Sequence, residues 1–125
     1  MTEQLVATAR PLGIALALTV ASGLADAQGF IHASQIWRTG ALVPSALTKS
    51  ALAFALGMGL QWVAIRFFQQ SGVVLVETQT MVWFAATIIG VGLMSGTFFH
   101  WAATDRAVAM GVVAGVAWLL VRTGG

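Results

Sequence analysis

The chain has 125 residues, of which 58% are hydrophobic and 8% charged, with a formal net charge of +2 and a mean hydropathy of +0.88. Soluble domains carry roughly a quarter charged residues, so this composition excludes one and points to an integral membrane protein. No cysteine is present, which removes disulfides, thiolate metal sites and thiol nucleophiles. Six basic residues fall singly over loops and tails, so a pI near 10.6 makes no nucleic-acid patch.

A membrane helix needs about 20 apolar residues. Four runs of that kind follow one another at roughly 12–37, 46–65, 73–99 and 102–121. The connections between them are brief, which predicts one all-α transmembrane domain over 1–125, a compact hairpin bundle of four helices with no room for a soluble domain. A β-barrel does not fit, because the runs are continuously apolar rather than alternating.

The first run holds the most informative residue. Asp26 is the only charge between Arg10 and Arg38, near mid-depth of a span over 12–37. A charge there costs about 2.5–3.5 kcal/mol on insertion scales, so it is expected to face a bundle interior or aqueous cavity. Helical spacing puts Ser22, Asp26, Gly29 and Ala33 on one stripe, with Gln28, His32 and Gln35 on its neighbour. Arg10, the apolar run Leu12–Leu24 and Ala25-Asp26-Ala27 also imitate a secretory signal with an A-x-A cleavage site. Here the segment is read as a retained span.

The second run carries Gly57-x-Gly59 beside Gln61 and Trp62, where glycine either relaxes the helix or brings it near a ligand. The third opens with Glu77-Thr78-Gln79-Thr80 and holds Trp83, the one tryptophan well inside a span. Glu77 reads either as an interfacial carboxylate paired with Arg66 or as a second proton group. Gly92-x-x-x-Gly96 in the third run and Gly111-x-x-x-Gly115 in the fourth have the spacing that lets helix backbones approach in lipid. The remaining tryptophans, Trp37, Trp62, Trp101 and Trp118, fall near span ends, as interfacial belts do.

Threading four spans places Arg10, Arg66 and Arg122 on one side and Arg38, Lys49 and Arg106 on the other. Orientation follows Lys/Arg asymmetry across short loops, and this count has none. Dual insertion with an antiparallel homodimer is one reading. A single orientation settled by a weak bias or by contact with other subunits is the other. No phosphate loop, catalytic triad or metalloprotease helix is present, so no enzyme is expected. His32 and His100 fall near one membrane side and would permit a bis-histidine haem or pigment contact, a minor alternative to a protein without cofactor or metal.

Taken together, Asp26, Gly29 three positions later, Pro44-Ser45 opening the second span, Asp105-Arg106 before the fourth and the stretch from Gly111 to Arg122 resemble the small multidrug resistance family of the drug/metabolite transporter superfamily. The resemblance covers the layout of the whole chain. It implies a four-helix homodimer, often antiparallel, with a first-helix carboxylate that binds protons and cationic substrates in turn. Two departures stand out: the family's carboxylate is normally Glu, and Glu77-Thr78-Gln79-Thr80 stands where a Trp-Ser-Gly feature is usual.

The expected function is therefore that of a small proton-coupled membrane transporter or antiporter, exporting a cationic or amphipathic solute across a bacterial inner membrane. Asp26 would be the coupling site, Gln28, His32 and Glu77 the lining, and Trp83 a stacking surface for a cation. The alternative is an accessory or anchor subunit of a larger respiratory or photosynthetic membrane complex.

Overall fold

The computed structural model describes residues 2–123. Four helices account for nearly all of it: α1 (Thr2–Ala33), α2 (Pro44–Gln70), α3 (Val76–Ser95) and α4 (Ala103–Thr123). A 3₁₀ turn over Thr97–His100 joins α3 to α4. The fold is all-α. Three helical segments are long and apolar enough to cross a membrane, Leu5–Ala33, Pro44–Gln70 and Val76–Ser95.

The helix ends correct several expected boundaries. Helix α1 starts ten residues before Leu12 and carries Pro11 inside it, at the cost of one intrahelical hydrogen bond. It stops at Ala33 rather than Trp37. Residues beyond it form a small antiparallel hairpin, β1 (Trp37–Arg38) with β2 (Ala41–Leu42), pairing Trp37 with Leu42 and Arg38 with Ala41. Thr39 and Gly40 at its tip both have positive φ, 50° and 81°, the signature of a type I′ turn. Pro44 then occupies the first turn of α2, where a missing N–H costs nothing.

The third span is also shorter than 73–99. Gly96 takes a left-handed φ of 74° and ends α3, the usual means of closing a helix. Gly96 is thus the C-cap of α3. A Cβ at Gly92 would meet only Phe98 of the following turn, at 3.7 Å. At Gly111 and Gly115 a Cβ would meet nothing within 4 Å. None of the four glycines brings two helices of this chain together among the described residues.

Close packing lies elsewhere. Helix α1 is the central element, running along both α2 and α3, while α2 and α3 barely touch and α4 rests on α3. Its α2-facing stripe is Ala15, Thr19, Ser22, Asp26 and Gly29, all buried, at the spacing of one helix face. Successive contacts with α2 fix an antiparallel register: Ser50 with Gly29, Gly57 with Ser22 and Asp26, and Phe68 clustered with Ala15. On α3 the register is parallel, with Gly23 against Ala86 and Ala27 against Gly90.

This interior is polar and small, whereas the outside is apolar. Thr19, Ser22, Asp26, Ser50, Thr78, Gln79 and Thr87 are buried, and among the described residues Phe68 is the one large apolar side chain that is fully buried. Leu52, Leu56, Trp62 and Val63 of α2 stand exposed. An exposed apolar surface of that extent requires a hydrocarbon solvent or a partner.

Candidate functional site

The site is built where α1, α2 and α3 approach Asp26. The carboxylate is 2% exposed. It lies seven residues from the end of α1, yet level with Gly57, the middle residue of α2. That helix is about 40 Å long at 1.5 Å per residue, which puts Gly57 about 20 Å from either end.

Gly57 is there because nothing larger fits. A Cβ at that position would overlap the carboxylate, lying 2.6 Å from Asp26 Cγ. The absence of a side chain leaves the α2 backbone and the Asp26 Oδ1 edge face to face. Above and below, two serines bind the helices together. Ser22 Oγ donates to the Gly57 carbonyl at 2.7 Å, and Ser50 Oγ donates to the Gly29 carbonyl at 2.8 Å. Both use the second lone pair of a helical carbonyl, a hydrogen bond that lipid cannot replace. At Gly29 the ring of Phe54 takes the space of a side chain, and Phe54 meets Phe30 edge-to-face with centroids 4.9 Å apart.

From the third helix, Trp83 Nε1 donates to Asp26 Oδ2 at 2.6 Å. Thr87 Oγ1 in turn donates to the Trp83 carbonyl at 2.9 Å. Among the described residues the indole is the one hydrogen-bond partner of the carboxylate. A carboxylate accepts about four hydrogen bonds, so most of this capacity is unfilled. A proton, a water molecule or a cation would fill it.

Trp83 has a second side. The residue also lines an apolar cavity of about 480 Å³ between α3, the 3₁₀ turn and α4, with Phe30, Phe84, Phe98, Trp101 and Met110. Trp83 therefore belongs both to the carboxylate's site and to the wall of an aromatic chamber.

The other expected lining residues do not reach Asp26. Gln28 is half-buried and points its amide at Met94 Sδ, 3.7 Å away on α3. Two residues along a helix is a rotation of about 200°, which turns Gln28 from the carboxylate's face. His32 is half-buried in the last turn of α1, and His100 is exposed at the end of the 3₁₀ turn. Glu77 is exposed in the first turn of α3, about 9 Å of helix before Trp83. Among the described residues it makes no ion pair with Arg66, and no cluster of three metal-ligating side chains exists. Sequence reasoning singled out Trp83 and Asp26 without their bond. It missed Ser50 and the fit of Gly57 on Asp26; the signal available was a glycine beside polar residues in an otherwise apolar run.

The chain matches no family model, no curated protein and no solved structure.

Proposed function

We propose that this protein is a small proton-coupled membrane transporter, with α4 as a fourth span, that exchanges protons for a cationic or amphipathic solute at Asp26. The observation that carries this reading is one buried carboxylate, level with the middle of α2, held by a single indole and packed against a glycine. A structural carboxylate in hydrocarbon would be expected to have its acceptors filled, because unfilled ones are costly there. Spare acceptor capacity suits a group that trades one cation for another. The aromatic chamber behind Trp83 would receive the apolar body of such a solute, with the tryptophan face available to its charge.

Gly111 and Gly115, with open space before them, suit a helix seam with a second copy of the chain, and the balanced charge count suits an antiparallel one. The same open face favours the second reading, an accessory subunit whose partner is another membrane protein. Purified protein in liposomes carrying an internal pH dye separates the two. Addition of tetraphenylphosphonium should drive proton release through the wild type. Asp26→Asn keeps shape and one acceptor oxygen, so it should retain the helical fold while proton release falls to background. Full release through the Asn variant would reject Asp26 as the coupling site and favour the subunit.

A further inference from the structure

Three buried polar atoms lack a hydrogen-bond partner among the described residues: Thr19 Oγ1, Gln61 Oε1 and Thr78 Oγ1. Thr19 is 0% and Thr78 4% exposed. One comes from each of α1, α2 and α3, and the registers place them on the same side of Asp26. Along α2, Gln61 falls between Gly57, which faces Ser22 and Asp26, and Ala64, which clusters with Ala15. That is the level of Thr19. Along α3, continuing the spacing that matches Ala86 to Gly23 and Gly90 to Ala27 brings Thr78 level with Ala15. The unsatisfied groups therefore form a ladder that leaves Asp26 toward the end where α3 begins. The ladder rises about 10 Å to Thr19 and about 16 Å to Thr78, at 1.5 Å per residue.

Buried polar groups are almost always satisfied, and where protein supplies no partner an ordered water does. An isolated orphan hydroxyl in a helix can turn back on its own backbone. Three on α1 and the two helices packed along it, all on one side of an under-filled carboxylate, have a common explanation. We infer that a file of bound water runs between α1, α2 and α3 from the Oδ1 edge of Asp26 past Gln61 and Thr19 to Thr78, and that it is the route by which protons reach Asp26. The proton-route part rests on the transport reading above; the water does not.

The chemistry of each group fits its place. Oδ2 is held by Trp83, so the edge toward Gly57 receives the proton. Each water along the file accepts one proton on its oxygen and passes another from its far O–H bond, and a threonine hydroxyl does the same. Gln61 has no proton to relay; its Oε1 accepts from a water and orients it. A hydronium proton entering at one end becomes the carboxyl proton of Asp26, and the water chain is left reoriented. Arg10, Arg66 and Glu77 stand exposed at the same end of the three helices, and the Ala15–Ala64–Phe68 cluster lies beside the level of Thr78.

Water-edited solid-state NMR of the full chain in lipid bilayers tests the water directly. The methyl signals of Thr19 and Thr78 should receive water magnetisation well before those of Ala15 and Ala64, which are equally buried and apolar. Equal, slow transfer to all four means a dry interior and overturns the inference, whatever Asp26→Asn does to transport. Hydrogen exchange of the Trp83 indole N–H, identified by its loss in Trp83→Phe, reads delivery to the carboxylate. It should slow roughly tenfold in Thr19→Val, since exchange would then wait on opening of the bundle, and recover in Thr19→Ser. Unchanged exchange in the Val variant, or slowing in both variants, overturns the route.

Discussion

Helix α1 and helix α4 solve the same problem in opposite ways. Both carry small residues at helical spacing. On α1 these are committed: Ser22, Asp26 and Gly29 meet Gly57, Ser50 and Phe54 at contact distance, and Gly23 meets Ala86. On α4, Gly111 and Gly115 face open space within this chain. The difference teaches that a small-residue pattern marks a capacity for close approach and leaves the partner unstated. Between α1 and α2 the close approach is accompanied by hydrogen bonds from Ser22 and Ser50 to carbonyls of the facing helix, which hold where apolar contact with a helix is no better than apolar contact with lipid.

Loss of Gly57 tests the committed side most severely. Gly57→Val places methyl groups where the Asp26 carboxylate lies, so helix separation or ejection of a charge must follow. Overpacking alone costs about 1–3 kcal/mol, and displacement of the carboxylate should bring the total to about 3 kcal/mol or more. The unfolding midpoint in mixed detergent would fall accordingly, with loss of proton-driven flux. A Val variant as stable as wild type would mean that α1 and α2 do not pack in this register.

Next comes the third helix. Trp83→Phe keeps a ring beside the aromatic chamber but removes the one donor to Asp26 among the described residues. Hydrogen bonds to charged groups contribute about 1.5–3 kcal/mol, and the orphaned carboxylate adds to the loss. The variant should therefore lose about 2 kcal/mol of stability, and pairing it with Asp26→Asn should recover part of that. Additive losses in the double variant would show that the indole and the carboxylate act independently.

How much of this was legible follows from what each feature depends on. The helices themselves are read from uninterrupted apolar runs, and Asp26 from being a lone charge within one. Helix ends were harder. Arg10 and Pro11 look like a boundary, yet α1 runs through them; Thr39-Gly40 marks a turn only once both residues are known to take positive φ. Gly92 and Gly96 share the spacing of a packing motif, but Gly96 is spent on ending the helix. Gln28 and His32 enter the candidate site from the helical stripe beside Asp26, and Glu77 as a second carboxylate in an apolar run. Which face of one helix meets which residue of another depends on tertiary register, and no local pattern in α2 or α3 states that Gly57 and Trp83 converge on Asp26.

The two serines that bracket the carboxylate should show smaller, separable effects. Ser22→Ala and Ser50→Ala each remove one interhelical donor, and the carbonyls they contact keep their helical bonds. A typical intramolecular hydrogen bond contributes about 0.5–1.5 kcal/mol net. Each variant should lose about 1 kcal/mol, and the two should add, since Ser22 and the Ser50–Gly29 contact lie two helical turns apart along α1. A loss far above this in either variant would mean that the serine supports Asp26 itself rather than the seam.

The smallest effect on the chain's own stability is expected on α4, and there the comparison is sharpest. Gly115→Leu adds a large side chain where a Cβ meets nothing within 4 Å. Away from packed features, substitutions change stability by about 0.5 kcal/mol or less, so the unfolding midpoint of the isolated chain should barely move. Association should respond differently. If α4 keeps its small residues for a helix of another copy, leucine at position 115 separates the two backbones and removes the close approach on which packing in lipid depends. Crosslinking yield between copies in liposomes should then drop while the fold of each copy persists. Gly57→Ala is the control: its smaller side chain should disturb the monomer and spare the crosslink. Unchanged crosslinking in Gly115→Leu would assign the open face of α4 to lipid, and the contrast between the two helices would become one between a packed helix and a solvated one.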